Sequence, residues 1–197
     1  LGEDGVRRLK EWIARGGVFI GWQGGARFAM RSKVDWTSAR VVGASDDSTK
    51  ADSTAARDTA LAADQRPGPV LVAATAANGA KPLDVPGSIF RATLDQSHWL
   101  TFGYERERLP VMMSGDQFFR PSRAGANPVA FTGDSLALSG FTWPGNTERL
   151  LKNTAWAAVE RHGTGNVVLF AHSPVYRLFW RSTYRLLENA MLMGTGR

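Results

Sequence analysis

A glycine-rich turn at residues 21–25, with the sequence Gly-Trp-Gln-Gly-Gly, follows a short apolar run and precedes residues of helix-compatible composition. Such turns between strand and helix strain their central residue and project its side chain above the sheet edge, so they carry nucleophiles in many enzymes. Here the central residue is Gln23, whose amide forms hydrogen bonds but no acyl intermediate. Two interpretations remain: Gly21, Gly24 and Gly25 only permit close packing of strand and helix, or Gln23 contacts a ligand.

A second group with possible chemistry is His172, which directly follows an apolar strand predicted at residues 167–170. Ligands of open α/β sheets gather at the carboxyl ends of strands, so we expect His172 to lie near the glycine turn. As a general base it would need a nucleophile, and the turn supplies none. A structural histidine bonded to the backbone is therefore the simpler interpretation. The possible cleft or ligand contacts are Gln23, Gly24, Gly25, His172, Ser173 and Arg177.

The composition argues against several classes of site. The chain has no cysteine and three histidines, and neither His98 nor His162 begins a zinc-binding His-x-x-Glu or His-x-His pair, so no metal site is predicted in this chain. The net charge of +6 is dispersed without a run of five like charges, so no nucleic-acid partner is predicted. No stretch approaches the length of a membrane span.

The elements that must position these residues are predicted from periodicity. With 197 residues, a single domain is expected over 1–197. An Ala-, Ser-, Thr- and Asp-rich excursion is expected at about 37–69. Helices are predicted at 5–15, 26–30, 51–63, 148–161 and 183–193, and strands at 18–20, 70–74, 89–94, 111–113, 129–131 and 167–170. Because strand and helix alternate at both ends, a mainly parallel α/β sheet is predicted.

Three segments together resemble a known family. They are residues 2–22 with the glycine turn, Val85-Pro86-Gly87-Ser88-Ile89-Phe90, and residues 165–190 with His172, Ser173, Pro174 and Arg177. The chain resembles the class I glutamine amidotransferase-like domain found C-terminal to the peptidase domain of large bacterial zinc carboxypeptidases. The resemblance implies a flavodoxin-like three-layer sandwich, here without its N-terminal strand–helix units, and a periplasmic or secreted location. Leu1 in place of an initiator Met agrees with a piece of a longer chain.

The resemblance also shapes the functional expectation. The family's catalytic Cys corresponds to Gln23, and His172 precedes Ser173-Pro174 instead of beginning a His-x-Glu pair. This implies a non-catalytic accessory domain that aids substrate presentation or packing of an upstream peptidase domain, which would hold the zinc. The first alternative is a small-molecule or peptide binding module between the Gln23 turn and the His172 loop. The second is an unrecognised serine hydrolase that pairs His172 with Ser173 or Ser139.

Overall fold

The structure is a computed structural model that describes residues 1–44 and 80–195. The helices are α1 (Glu3–Ala14), α2 (Gly24–Ala29), α3 (Thr147–Leu151) and α4 (Tyr184–Met193), with 3₁₀ turns at Trp99–Thr101, Tyr176–Leu178 and Arg181–Thr183. The strands are β1 (Val18–Trp22), β2 (Arg40–Val41), β3 (Val85–Leu94), β4 (Arg108–Gly115), β5 (Phe119–Arg120), β6 (Ala126–Ala130), β7 (Ala137–Gly140), β8 (Ala155–His162) and β9 (Gly165–Phe170).

Within these ranges the strands form one nine-stranded mixed sheet, with the main order β1-β9-β8-β6-β3-β4. Two strands each pair with three others: β3 pairs with β4, β6 and β7, and β8 pairs with β9, β6 and β5. The first and last strands, β1 and β9, run parallel, and the other pairs among the described strands are antiparallel. Helices α1, α2 and α4 contact β1 or β9, so the helical layer covers the parallel end of the sheet.

The prediction of a mainly parallel, flavodoxin-like three-layer sandwich is wrong. Parallel neighbours require a crossover of a dozen or more residues, usually a helix. Strands β8 and β9 are joined by only Gly163 and Thr164 between the paired residues His162 and Gly165, so they must run antiparallel. Gly163 has a φ of +59°, a conformation typical of two-residue hairpin turns.

The predicted helix at 148–161 is also wrong, and this error explains the wrong sheet. Helix α3 ends at Leu151, and residues from Ala155 onward form β8. Asn153, at φ +61°, turns the chain between the two elements. The first six residues of β8 are all buried, because the sheet is covered on both faces there. A continuous apolar run of this kind has no period that separates a helix from a strand.

Predictions at both ends of the chain are confirmed. Helix α1, strand β1, helix α2, strand β9 and helix α4 lie where the periodicity placed them, with boundaries shifted by a few residues. In α4 the predicted apolar face is only partly correct, since Leu186 and Ala190 are fully buried but Met191 is 61% exposed. The predicted strands at 89–94, 111–113 and 129–131 belong to β3, β4 and β6.

The described part of the predicted excursion, residues 37–44, packs against the fold. Thr37, Ala39 and Val42 are buried, and strand β2 pairs with β5. The buried Glu160 carboxylate on β8 holds this segment, because Oε1 accepts hydrogen bonds from Thr37 Oγ1 at 2.7 Å and from Ser38 N at 2.6 Å. The helix predicted at 51–63 and the strand at 70–74 lie outside the described residues. Among the described helices, none has the length and apolar character needed to cross a membrane, as predicted.

Candidate functional site

The glycine turn has the geometry of a nucleophile elbow. Gln23 lies between β1 and α2 with φ 47° and ψ −117°, a conformation that residues other than glycine rarely adopt. Its side chain is exposed, and its backbone carbonyl accepts a hydrogen bond from Arg27 N at 2.9 Å, which begins α2. The strained backbone predicted for this position is therefore confirmed, and it presents an amide to solvent.

The glycines of the turn have different roles. A Cβ on Gly21 would lie 2.8 Å from Phe19 Cε1 and 3.1 Å from the carbonyl carbon of Gly25, so only glycine permits this approach of β1 to α2. A Cβ on Gly24 or Gly25 would meet nothing within 4 Å. The packing interpretation thus holds for Gly21, whereas Gly24 and Gly25 leave open space beside Gln23.

The parallel pairing of β1 with β9 brings the turn and the His172 loop together. Trp22 and Phe170 are register partners at the carboxyl ends of these strands. Gln23 therefore directly follows one strand, and Ala171 and His172 directly follow its neighbour. This adjacency is the one expected from the sequence, although it comes from a single parallel pair at one end of a mixed sheet.

The structure adds a residue that the sequence analysis did not consider. Ser114, near the end of β4, places its Oγ 2.8 Å from His172 Nε2. The hydroxyls of Ser173 and Ser139 form no hydrogen bond with His172 in the described ranges, and Ser139 lies on β7, where it pairs with Ile89. The polar run Ser114-Gly115-Asp116-Gln117 after the apolar strand at 111–113 was the signal that could have identified it.

His172 is completely buried, and this environment sets its charge. Burial lowers the pKa of its imidazole below the ordinary value of 6.5, and the neighbouring backbone of Ser173 opposes that effect only partly. Nδ1 makes no hydrogen bond to any residue in the described parts of the chain. The Tyr176 ring lies 5.1 Å from the imidazole, centroid to centroid. The ring is therefore neutral at pH 7, the form in which one nitrogen can accept a proton.

A cavity of about 420 Å³ opens between the turn, the end of β4 and the end of β9, where Ala171 contributes to its wall. Its polar lining residues are Gln23, Arg27, Asp84, Ser114, Asp116 and Gln117. The volume falls within the range of small-molecule sites. The structure thus brings Gln23 and the residue preceding His172 to one cavity.

A hydrogen-bond network ties the two walls of this cavity together. Arg27 on α2 donates to Gln117 Oε1 at 3.1 Å and to Asp116 Oδ1 at 2.7 Å. Gln117, which is buried, donates in turn to the backbone oxygen of Gln23 at 3.2 Å. Because Gln117 holds the carbonyl of the strained residue, the loop after β4 supports the elbow.

The remaining predicted contact, Arg177, does not line this cavity. It is exposed in a 3₁₀ turn at φ 48°, with its guanidinium 5.2 Å from the centre of the Tyr176 ring. Ser173 is half-buried and likewise does not line the cavity. A second cavity of about 510 Å³ shares Arg27 and Asp116 and borders Ala44 and Lys81, next to the ends of the described ranges.

Within residues 1–44 and 80–195, no group of three His, Asp or Glu side chains is arranged to hold a metal ion. The family resemblance assigns zinc to an upstream peptidase domain, and that assignment stays a prediction.

The chain was compared with known proteins. No model of a known protein family matches it, and no curated protein matches it. A solved structure of a cytoplasmic protein from Salmonella typhimurium is similar, with 12% sequence identity and a TM-score of 0.42. The match covers 98% of this chain and 61% of that chain, so this chain spans about three fifths of its neighbour's length.

Proposed function

We propose that this domain is a binding module for a small zwitterionic ligand, an amino acid or short peptide, held in the cavity between the Gln23 turn and the end of β4. We call this cavity the elbow cleft. The observation that carries the proposal is the meeting of four separate chain segments at a single polar cavity of about 420 Å³.

The lining of the elbow cleft matches a ligand that carries both charges. Arg27 supplies a guanidinium, and Asp84 and Asp116 supply carboxylates. The Gln23 amide can donate and accept, and it makes no side-chain hydrogen bond to another described residue. Arg27 is paired with Asp116 at 2.7 Å, and Lys81 lies 3.7 Å from the other oxygen of that carboxylate, so the cleft presents both charges side by side and favours a ligand that carries both.

The strained backbone at Gln23 supports the same function. A non-glycine residue at positive φ costs free energy, and such residues cluster where a side chain must be held in place for a ligand. The backbone at Gln23 is held by the hydrogen bond from Gln117 to its carbonyl oxygen and by the close approach of β1 to α2 at Gly21. A backbone that is already fixed loses little conformational entropy when a ligand binds.

Isothermal titration calorimetry with a panel of amino acids and dipeptides tests this proposal. The Gln23→Ala variant should bind the best ligand about threefold to tenfold more weakly, the effect of losing one hydrogen bond. Its thermal stability should be unchanged, because the side chain is exposed. Gln96→Ala is the matched control, since Gln96 is also exposed and follows the opposite end of β3 from the elbow cleft.

Absence of binding across the whole panel would contradict the binding module. An equal loss of affinity in the Gln96→Ala control would contradict the elbow cleft as the binding site.

The accessory role in a zinc carboxypeptidase stays a prediction from the sequence. A parent chain with His-x-x-Glu and a later His ahead of this domain would support it. In such a protein, Gln23→Ala should leave peptidase activity within a few fold of the unaltered level.

A further inference from the structure

We propose that Ser114 and His172 form a nucleophile–base pair that accepts the acyl group of a small ester bound in the elbow cleft. The inference rests on the proposed function, because the acyl donor would be an ester of the same amino acid or short peptide. It adds a covalent step that the glycine turn itself does not supply.

The geometry places the hydroxyl between the base and the cleft. Ser114 lines the elbow cleft and is half-buried, whereas His172 behind it is fully buried. The distance of 2.8 Å from Ser114 Oγ to His172 Nε2 is within the range required for proton transfer. A ligand in the cleft therefore meets the hydroxyl before it meets the imidazole.

The other two histidines have different partners. His98 Nδ1 accepts a hydrogen bond from Leu100 N at 3.1 Å, and His162 Nε2 lies 2.6 Å from the backbone oxygen of Trp36. These contacts to the backbone are those of structural histidines. His172 differs because its bonded partner is the hydroxyl of a residue that lines a cavity.

The buried surroundings favour the form of His172 that can take a proton. Burial keeps the imidazole neutral, so one of its two nitrogens carries no proton. Nε2 is the nitrogen within hydrogen-bond distance of the Ser114 hydroxyl. In the tautomer with the proton on Nδ1, Nε2 is free to accept from Ser114. Because Nδ1 is buried without a full hydrogen bond in the described structure, the ring carries an unsatisfied polar atom of the kind that clusters at functional sites.

The proposed step conserves all atoms and protons. Ser114 Oγ bonds to the ester carbonyl carbon while its proton passes to His172 Nε2, and the carbon–oxygen bond to the alcohol breaks. The alcohol leaves with the proton from His172. Water then attacks the acyl-serine, gives one proton to His172, and releases the free acid as that proton returns to Ser114 Oγ.

A fluorophosphonate probe, which phosphonylates activated serine hydroxyls with loss of fluoride, tests the pair directly. Intact mass should show one adduct per folded chain, and peptide mapping should place it on Ser114. Ser114→Ala should reduce the labelling rate at least about 100-fold, and His172→Gln should reduce it to a similar extent. Ser139→Ala is the control, because Ser139 is an exposed serine on β7. The labelling rate of this variant should equal that of the unaltered chain.

Loss of the buried imidazole can unfold the protein, so the His172→Gln rate is compared per folded molecule by circular dichroism. The Ser114→Ala variant decides the assignment on its own, because it deletes only a half-buried hydroxyl. Absence of an adduct, or an adduct on any other serine, would overturn the proposal. Calorimetry and labelling of the unaltered chain separate the two proposals: ligand binding without labelling would defeat the nucleophile alone, and no binding would defeat the binding module.

Discussion

At the scale of single residues, the three glycines of the turn differ in the space around them. Gly21 lies where β1 and α2 are too close for any side chain, and a Cβ there would also be 3.2 Å from Ala26 N. Gly24 and Gly25 have negative φ and free space around them. The open volume that they leave beside Gln23 is what a ligand would need, and packing does not require it.

Alanine at these positions tests this distinction. Gly21→Ala should destabilise the protein by about 1–3 kcal/mol through overpacking. Gly25→Ala should be neutral or stabilise by up to about 1 kcal/mol, because alanine favours the helix and meets no atom. Urea unfolding measures both changes. A large loss of stability in Gly25→Ala would show that the space beside Gln23 is already filled by the protein.

At the scale of elements, one buried carboxylate links residues 37 and 38 to the central sheet. Glu160 Oε1 on β8 accepts from Thr37 Oγ1, Ser38 N and Ser38 Oγ, and from Ser122 Oγ at 2.6 Å. Ser38 Oγ in turn accepts from Arg123 N at 2.8 Å. The composition at 37–42 indicated an excursion, but these hydrogen bonds make it part of the fold.

Removal of this carboxylate should release the segment. Glu160→Ala leaves buried hydroxyls and an amide without their acceptor, and should lower the free energy of unfolding by about 3 kcal/mol. Glu105→Ala is the control, because Glu105 is exposed, and it should change stability by less than about 0.5 kcal/mol. Denaturant unfolding of the two variants checks this, and equal stabilities would contradict the role given to Glu160.

At the scale of the whole molecule, burial of His172 links folding to pH. The unfolded chain binds a proton at its imidazole near the ordinary pKa of 6.5, whereas burial gives the folded chain a lower pKa. Below pH 6.5 the unfolded state therefore binds more protons than the folded state. The contribution of His172 to the free energy of unfolding is therefore complete above pH 6.5. It decreases as the pH falls, by at most about 1.4 kcal/mol per pH unit.

Urea unfolding between pH 5 and pH 8 measures this linkage. His172→Gln should be less stable than the unaltered chain at pH 8, and its stability should fall less steeply below pH 6.5 because it lacks the buried imidazole. The other titrating groups are common to both proteins, so the difference between the two slopes belongs to His172. Parallel slopes would mean that His172 is protonated in the folded state as easily as in the unfolded one.

The sequence by itself determined the local features at both ends of the chain. The amphipathic pattern of α1, the strained Gln23 between β1 and α2, and the apolar strand β9 before His172 all depend on contacts over a few residues. Propensity, glycine positions and periodicity act over that range. These features are therefore visible without the rest of the fold.

Only the tertiary structure decided what lies around them. The fully buried run in β8 has no period that identifies a strand, and its two-residue connection to β9 makes the central sheet antiparallel. Ser114 and His172 are 58 residues apart and meet because β4 and β9 end at the same cavity. Strand pairing over such separations depends on the packing of the whole core, and a local pattern carries no record of it.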